Sequence, residues 1–251
     1  VLRCTNVILG GFDPEYVGEG DVMEELLGAA LELVGLMTTL VAERQEDPRD
    51  DLTTKLIHSE LGEDLMTPEE VASFFILLAV AGNDTTRTAM THGMNLLHQN
   101  PDQRRIWQDD VDGVTDTAVE EIVRMASPVT FMRRTATGDH TVSSHQFREG
   151  DKVVMFYGAA NRDPREFTDP MQFDVRRDPN NHVGFGGPGP HFCLGAHLAR
   201  REVSVAFRQL FDRLPDIEVT GDAVHIESAG IPLVGGIKRL PVRFSPTAPS
   251  A

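Results

Sequence analysis

The sequence has few cysteines and no long apolar run, and each shortage excludes a class of protein. Its two cysteines, Cys4 and Cys193, are too few and too far apart in the chain for a disulfide framework. A reducing cytoplasm is therefore the expected compartment. The longest apolar run, from Val71 to Gly82, is too short to cross a bilayer and contains Ser73. No basic leader with a small-residue cleavage site opens the sequence, so we expect neither a secretory signal nor a membrane span.

Basic residues are also scarce. The 251-residue chain has 23 Lys and Arg against 39 Asp and Glu, which gives a formal net charge of −16 at pH 7. Such an acidic chain is a poor partner for nucleic acid or for an anionic membrane surface. The hydrophobic fraction of 40% is ordinary, and it allows a sizeable core in one large domain or two small ones.

Helical periodicity and capping signals cover most of the chain. Helices are predicted at about 21–46, 51–60, 67–98, 102–110, 117–125 and, after Cys193, up to about 213. Strand-like alternation is confined to 129–156 and to short segments beyond 217, and an irregular meander extends from about 161 to about 190. The expected fold class is mostly α with minor β.

The longest predicted helix, at about 67–98, has a clear beginning and an unusual middle. Residues 67–70 are Thr-Pro-Glu-Glu, a capping box with proline in the first turn. The first half is apolar on all sides, which predicts burial. Residues 81–86, Ala-Gly-Asn-Asp-Thr-Thr, then interrupt the apolar run, although a buried aspartate is unfavourable unless it is paired. The interruption is either a helix turning polar towards an exposed end or a functional site.

A loop rich in glycine and proline, residues 183–192, leads to Cys193 at the predicted start of a helix. Free N–H groups and the dipole at a helix N-terminus favour an anion, which suits a thiolate ligand. A cysteine taken alone is more often a small apolar core residue. Here Gly189 and Gly195 would let a flat ligand approach the backbone, and His191 could donate a hydrogen bond to a carboxylate.

Two further features have ordinary interpretations when they are taken alone. Glu121 and Arg124 are spaced i, i+3 on a predicted helix, and most such pairs are solvated surface pairs. Arg133 and Arg134 are adjacent on a strand-like segment, so their side chains are expected on opposite faces and one of them could point inward.

Taken together and in this order, the motifs resemble those of the cytochrome P450 family. Residues 81–86 match the family pattern Ala/Gly-Gly-x-Asp/Glu-Thr-Thr, and Glu121 with Arg124 matches Glu-x-x-Arg. The cysteine loop is similar to Phe-x-x-Gly-x-Arg/His-x-Cys-x-Gly, although Phe185 lies one residue further from Cys193 than the family usually has. A similar longer loop is found in actinobacterial P450s that hydroxylate sterol side chains and methyl-branched lipids.

The resemblance implies the cytochrome P450 fold with its N-terminal part missing. Residues 1–251 would form one partial domain. It would contain a long central helix at about 67–98, a β region and meander at about 129–190, and the cysteine loop with its following helix at about 183–213.

By resemblance, the cofactor would be haem b with its iron bound by Cys193. The other expected site residues fall into three groups: Arg134 and His191 on the haem propionates; Phe185, Gly195, Ala81 and Gly82 against the haem; and Asp84 and Thr85 as the residues that deliver protons to bound dioxygen. Arg133 is the neighbour that could take the place of Arg134.

The resemblance also implies a structural role for Glu121 and Arg124. In this family the pair is buried and holds an arginine of the meander. The candidate third member is Arg177, and Arg176 is the neighbour with which it could be confused. The three residues would lock the meander that presents the cysteine loop.

The implied activity is hydroxylation of an unactivated C–H bond in a lipophilic substrate, with O2 and two electrons from a ferredoxin and its ferredoxin reductase. Residues 118–124, 131–135 and 235–242 are similar to the mycobacterial methyl-branched lipid ω-hydroxylase and steroid C26-monooxygenase group, so the expected target is a terminal methyl of a branched lipid or sterol side chain. Basic residues near the cysteine loop, Arg176, Arg200 and Arg201, could dock an acidic ferredoxin.

Two rival functions stay open at this point. The chain could be a truncated remnant that binds haem and is catalytically inactive. It could also be a peroxide-driven haem hydroxylase, a class that often lacks the acid–alcohol pair, so Asp84 and Thr85 argue against it.

Overall fold

The computed structural model describes residues 1–18, 20–61, 64–227 and 232–245. The helices in these residues are α1 (Leu2–Leu9), α2 (Pro14–Val17), α3 (Val22–Glu46), α4 (Leu52–Ile57), α5 (Pro68–Gln99), α6 (Pro101–Asp109), α7 (Val111–Ala126), α8 (Tyr157–Ala160) and α9 (Ala196–Arg213). The predicted fold class, mostly α with minor β, is confirmed.

The strands are short and pair in twos, always antiparallel. They are β1 (Glu60–Leu61), β2 (Asp64–Leu65), β3 (Phe131–Thr135), β4 (His140–Val142), β5 (His145–Phe147), β6 (Lys152–Phe156), β7 (Glu218–Val219), β8 (Val224–His225), β9 (Ile237–Arg239) and β10 (Val242–Arg243). The pairs are β1–β2, β3–β6, β4–β5, β7–β10 and β8–β9. Residues 228–231, in the region of the strand-like segments predicted beyond 217, lie outside the described residues.

The chain forms two compact units. The first contains Val1–Asp84 together with Glu227, and the second contains Thr85–Ile226 together with the described residues from 232 onwards. Helix α5 passes from the first unit to the second between Asp84 and Thr85.

The core of the first unit lies between α1, α3, α4 and the start of α5. One cluster includes Cys4 and Leu33, and a second includes Met37, Val41 and Val71. Asp21 begins α3 by accepting hydrogen bonds from the two backbone N–H groups of residues 23 and 24. The apolar stripe that follows this cap is what α3 buries.

Helix α3 is also the one helix in the described part of the chain that is long and apolar enough to cross a membrane. Only 22% of its most apolar window is buried. A single helix of this kind is weak evidence, because core helices of soluble proteins pass the same test. The expectation of no membrane span therefore stays a prediction.

The long helix α5 begins as its capping box indicates. The backbone N–H of Thr67 donates to Glu70 Oε2 at 2.8 Å, and the backbone N–H of Glu70 donates to Thr67 Oγ1 at 3.2 Å. The expectation that the first half is buried on all sides is wrong. Ser73, Leu77 and Ala81, spaced four residues apart, are exposed on one face, and 60% of Leu77 is accessible.

The core of the second unit is built by α6, α7, α9 and the second half of α5. Trp107 is fully buried, its ring lies 4.9 Å from that of Phe207, and its indole N–H donates to Thr115 Oγ1 at 3.0 Å. Helix α7 starts at Val111, earlier than the predicted 117. The reason is a cap: the Asp110 carboxylate accepts from the backbone N–H of Gly113, in a stretch whose composition favours a turn.

Candidate cofactor site around Cys193

The cysteine loop, residues 182–195, is folded back on itself by backbone hydrogen bonds. The N–H of Cys193 donates to the carbonyl of Phe185 at 2.9 Å, and the N–H of Phe192 donates to the carbonyl of Gly189 at 3.1 Å. Gly186 has φ 88° and Gly189 has φ 134°, a region that favours glycine. The glycines therefore allow the reversal that brings Phe185 beside Cys193.

Cys193 lies just before the N-terminus of α9. Gly195 is the N-cap, and the carbonyl of Cys193 accepts from the N–H of Ala196 at 3.2 Å. The sequence analysis placed Cys193 at or just before a helix start, and the structure agrees. A Cβ built on Gly195 would lie 3.9 Å from Cys193 Sγ, so the thiol is next to the first turn.

The surface around Cys193 is apolar and open. Cys193 itself is exposed, and so are Phe192, Leu194 and Leu198, with 79% of Leu194 accessible. Exposed apolar side chains around a thiol suit a flat, apolar group that is ligated by sulfur, so the residues present fit haem.

The two residues expected on the haem propionates are both exposed. Arg134 lies on β3 and donates to the carbonyl of Arg133 at 3.0 Å, and His191 lies in the cysteine loop. Arg133 is exposed as well. Exposure does not favour one arginine over the other.

The expected site residues of α5 follow one another along the helix. Ala81 and Gly82 are exposed, and no atom lies within 4 Å of a Cβ built on Gly82. Asp84 is buried and accepts a hydrogen bond from Asn83 Nδ2 at 3.2 Å. Thr85 is half-buried. A buried carboxylate next to a hydroxyl is a pair of groups that can hold and pass a proton.

Glu121 and Arg124 form a fully buried ion pair on α7. Arg124 Nε donates to Glu121 Oε2 at 2.7 Å and Arg124 Nη2 donates to Glu121 Oε1 at 2.8 Å. Arg177 Nε reaches the same carboxylate at 3.2 Å, whereas Arg176 is exposed. Arg124 also donates to the carbonyls of Asn161, Pro170 and Gln172. The pair thereby ties the meander to α7.

A second carboxylate, Glu120, was missed by the sequence analysis. Arg200 Nε donates to Glu120 Oε1 at 2.5 Å, Arg200 Nη2 donates to Oε2 at 2.9 Å, and His182 Nε2 lies 2.9 Å from Oε2. The guanidinium of Arg200 also stacks over the ring of Phe185 at 4.4 Å. The sequence had indicated a role in partner docking for Arg200. Only the folded chain brings His182 and Arg200 together with Glu120.

The charges of this cluster agree with its geometry. Burial alone would raise the pKa of Glu120, but the hydrogen bonds from His182 and Arg200 outweigh it and lower that pKa to about 2. The pKa of Arg200 is raised, first by its hydrogen bond to Glu120 and further by the charges of Glu120 and Cys193.

Comparison with known proteins points to one family. The family model for cytochrome P450 matches residues 22–214. The chain is 46% identical over 245 residues to a methyl-branched lipid omega-hydroxylase of Mycobacterium tuberculosis, covering 98% of this chain and 56% of the relative. It is 41% identical over 244 residues to a steroid C26-monooxygenase of Rhodococcus jostii, covering 97% of this chain and 49% of that protein.

A solved structure is similar over nearly the whole chain. A Mycobacterium marinum cytochrome P450 in complex with pseudoionone superposes with a TM-score of 0.92 at 41% identity, covering 96% of this chain and 57% of that one. The chain thus spans about half the length of the relatives it matches. The predicted cytochrome P450 fold is confirmed.

Proposed function

Because the chain belongs to the cytochrome P450 family, we propose that it carries the haem-binding part of a monooxygenase that hydroxylates an unactivated C–H bond of a lipophilic substrate. The observation that carries the proposal is Cys193, an exposed thiol held by backbone hydrogen bonds beside the first turn of α9. Since the chain spans about half the length of its relatives, the activity of the whole protein is part of what we propose.

Haem, when bound, supplies the activation of dioxygen and the transfer of one oxygen atom. Cys193 would be the residue that binds its iron, through the thiol sulfur. Arg134 and His191 would bind the two carboxylates of the group, since an arginine can hold a carboxylate with two hydrogen bonds. The remaining residues assigned to the cofactor are Phe185, Gly195, Ala81 and Gly82.

Asp84 and Thr85 are assigned to proton delivery. Asp84 is buried, and its carboxylate accepts a hydrogen bond from Asn83 Nδ2. Thr85 follows it on the helix and offers a hydroxyl that both donates and accepts. A proton taken up at the Asp84 carboxylate would pass to the substrate side through Thr85 Oγ1.

The experiment that tests this assignment is Thr85→Ala, with Thr91→Ala as the matched control. Thr91 lies on the same helix, and its hydroxyl donates to the carbonyl of Arg87 within the helix. Thr85→Ala is expected to uncouple the reaction, so that reduced nicotinamide is consumed and peroxide is released instead of product. Unchanged product per electron in Thr85→Ala would remove Thr85 from the mechanism.

For the substrate we propose a terminal methyl of a branched lipid or of a sterol side chain. The proposal is supported by the names of the two relatives, which act on a methyl-branched lipid and on a steroid. Methyl-branched fatty acids and sterols should then displace water from the haem and give a substrate-type shift of the Soret band. Binding of a compact terpene with no shift from any of these ligands would contradict this substrate class.

For the electron donor we propose an acidic ferredoxin, reduced by a ferredoxin reductase in the cytoplasm. Arg176 and Arg201 are exposed and are suitable docking residues on an acidic chain. Arg200 is not proposed as a docking residue, because its guanidinium is already paired with Glu120. Steady-state reduction should weaken steeply as salt is raised, since docking of this kind is electrostatic.

A second candidate function is a chain that binds haem without turning over substrate. A single turnover with chemically supplied electrons separates the two candidates. Formation of hydroxylated product establishes the monooxygenase, and repeated haem reduction without product establishes the inactive binder.

A further inference from the structure

We propose that a cavity in the second unit is a binding site for a small organic acid, whose carboxylate is held by the guanidinium of Arg162. The cavity has a volume of about 310 Å³, at the lower end of the range for small-molecule sites. It lies where α5 and α7 end, beside α8. None of the described residues that line it is among those assigned to the cofactor, so the proposal does not rest on the function proposed above.

The first step of the argument is the charge that the cavity holds. His92 and Arg162 are the ionisable side chains among the described residues that line it. His92 Nε2 lies 2.7 Å from the carbonyl oxygen of Gly235, and burial lowers the pKa of His92. The imidazole is therefore neutral near neutral pH. Arg162 supplies the positive charge of the cavity, and no acidic side chain in the described part of the chain lines it.

The second step is the bonding of Arg162. Its Nη2 donates to the carbonyl of Met125 at 2.7 Å, and its Nη1 donates to the carbonyl of Gly158 at 3.1 Å. Both acceptors are neutral, and no carboxylate of the described residues pairs with this guanidinium. A guanidinium has five N–H groups, so three remain for another acceptor. A half-buried cation without a counter-charge is costly, and a bound anion would remove part of that cost.

The third step is the excess of positive charge around Arg162. Its pKa is lowered, first by burial and then by repulsion from the charge of Arg124. Glu121 attracts Arg162, but the same carboxylate is already shared by Arg124 and Arg177. Three guanidinium groups thus depend on one carboxylate, in a chain that is acidic as a whole. An added negative charge is favoured at this place.

The fourth step is the class of anion. Asn95 and Gln99 are spaced four residues apart on α5, line the cavity and have amides without a hydrogen-bond partner among the described residues. Leu96 and Met125 add an apolar surface. The C-terminal ends of α5 and α7 carry partial negative charge, which disfavours a multiply charged phosphate. A singly charged carboxylate fits better, because it can take two hydrogen bonds from Arg162 while its apolar body lies against the aliphatic side chains.

The first test is a titration of the full chain, without haem, with sodium benzoate as the probe. Benzamide serves as the neutral analogue and inorganic phosphate as the alternative anion. Isothermal titration calorimetry should show saturable binding of benzoate at one site, and binding about tenfold weaker or more for the other two, because hydrogen bonds to a charged group are the strong ones. Benzoate should also shift the side-chain amide signals of Asn95 and Gln99 in the nitrogen-15 spectrum.

Each alternative result of this titration contradicts a part of the proposal. Equal affinity for benzamide would show that the charge of Arg162 does not hold the ligand. Tighter binding of phosphate would overturn the class of ligand. No saturable binding of benzoate to a chain that is folded by circular dichroism would overturn the site.

The second test removes the positive charge. Arg162→Gln should bind benzoate about tenfold more weakly or worse, because it loses the charge-assisted hydrogen bonds. The matched control is Arg165→Gln, which removes an exposed arginine of the same segment that pairs with Asp163. Its affinity should equal that of wild type. Full affinity in Arg162→Gln, or an equal loss in both variants, would overturn the role of Arg162.

A third test covers the case in which Arg162→Gln does not fold, since Arg162 also binds two backbone carbonyls. The double variant Asn95→Leu with Gln99→Leu removes both amides from the cavity and should weaken benzoate binding several-fold. Gln108→Leu is its control, because Gln108 is half-buried on α6 and does not line the cavity. Wild-type affinity in the folded double variant would overturn the site.

Discussion

Two neighbouring stretches of irregular chain, the meander at 161–181 and the cysteine loop at 182–195, are held in different ways. The meander has its own buried apolar residues, Phe167, Phe173 and Val175, and several of its carbonyls are bound by Arg124. The cysteine loop leaves Phe192 and Leu194 exposed and is held at its two ends. The meander is packed into the core and stabilised there, whereas the cysteine loop leaves an apolar surface available for a ligand.

The difference follows from two adjacent residues of α7. Glu121 is fully buried and serves the meander, whereas Glu120 is partly exposed, with 26% of its side chain accessible, and serves the cysteine loop. A buried carboxylate that loses its charge leaves its arginines unpaired in the interior. When a partly exposed carboxylate loses its charge, water can hydrate the groups that were paired with it. The same chemical change at the two positions should therefore have unequal effects.

The largest expected effect is that of Glu121→Gln. The change removes the charge that Arg124 and Arg177 share, and the free energy of unfolding should fall by about 3–5 kcal/mol, the range for breaking a buried ion pair. Chemical denaturation followed by circular dichroism measures it, and Glu120→Gln is the neighbouring reference. A loss of less than about 1 kcal/mol would contradict the assigned role, because that is the range of surface pairs.

A smaller effect is expected for Gly186→Ala in the cysteine loop. Gly186 has φ 88°, where a side chain is strained, and its Cβ would lie 3.4 Å from the carbonyl oxygen of His191. The free energy of unfolding should fall by about 1–2 kcal/mol. Gly187→Ala is the control, because no atom lies within 4 Å of its Cβ. Equal losses in the two variants would show that the reversal at Gly186 does not stabilise the loop.

The smallest effect is the acid dependence of Glu120. Its pKa falls from the usual 4.5 to about 2 in the folded chain. The stabilisation is therefore fully present above about pH 4.5 and is lost as the pH falls towards about 2. Glu120→Gln should be about 1 kcal/mol less stable near neutral pH, and the difference from wild type should vanish in acid. Denaturation curves at several pH values test this, and a constant difference would contradict it.

The features that sequence predicted best depend on residues close together in the chain. The capping box at Thr67 and Glu70, and the placement of Cys193 before a helix, needed only local spacing. The contacts of Glu120 with His182 and Arg200 were missed because Glu120 lies 62 residues from His182 and 80 from Arg200. No spacing rule indicates such a contact. It depends on how α7 and α9 pack.

Burial was the least predictable property, and α5 shows the reason. An apolar composition on all sides says that a helix can be buried, but it does not say which element covers each face. Leu77 and Ala81 are exposed in this chain although their neighbours are apolar. The start of α7 was missed for a different reason, since Asp110 and Gly113 suggest a turn and in fact form a cap.

The central claim is that this chain presents Cys193 as a haem ligand, and the spectrum of the reduced, carbon-monoxide-bound protein after haem addition tests it most directly. The account predicts a thiolate-type Soret band in wild type and its loss in Cys193→Ser, with Cys4→Ser unchanged. An imidazole-type band, or no bound haem, in a chain that is folded by circular dichroism would contradict it.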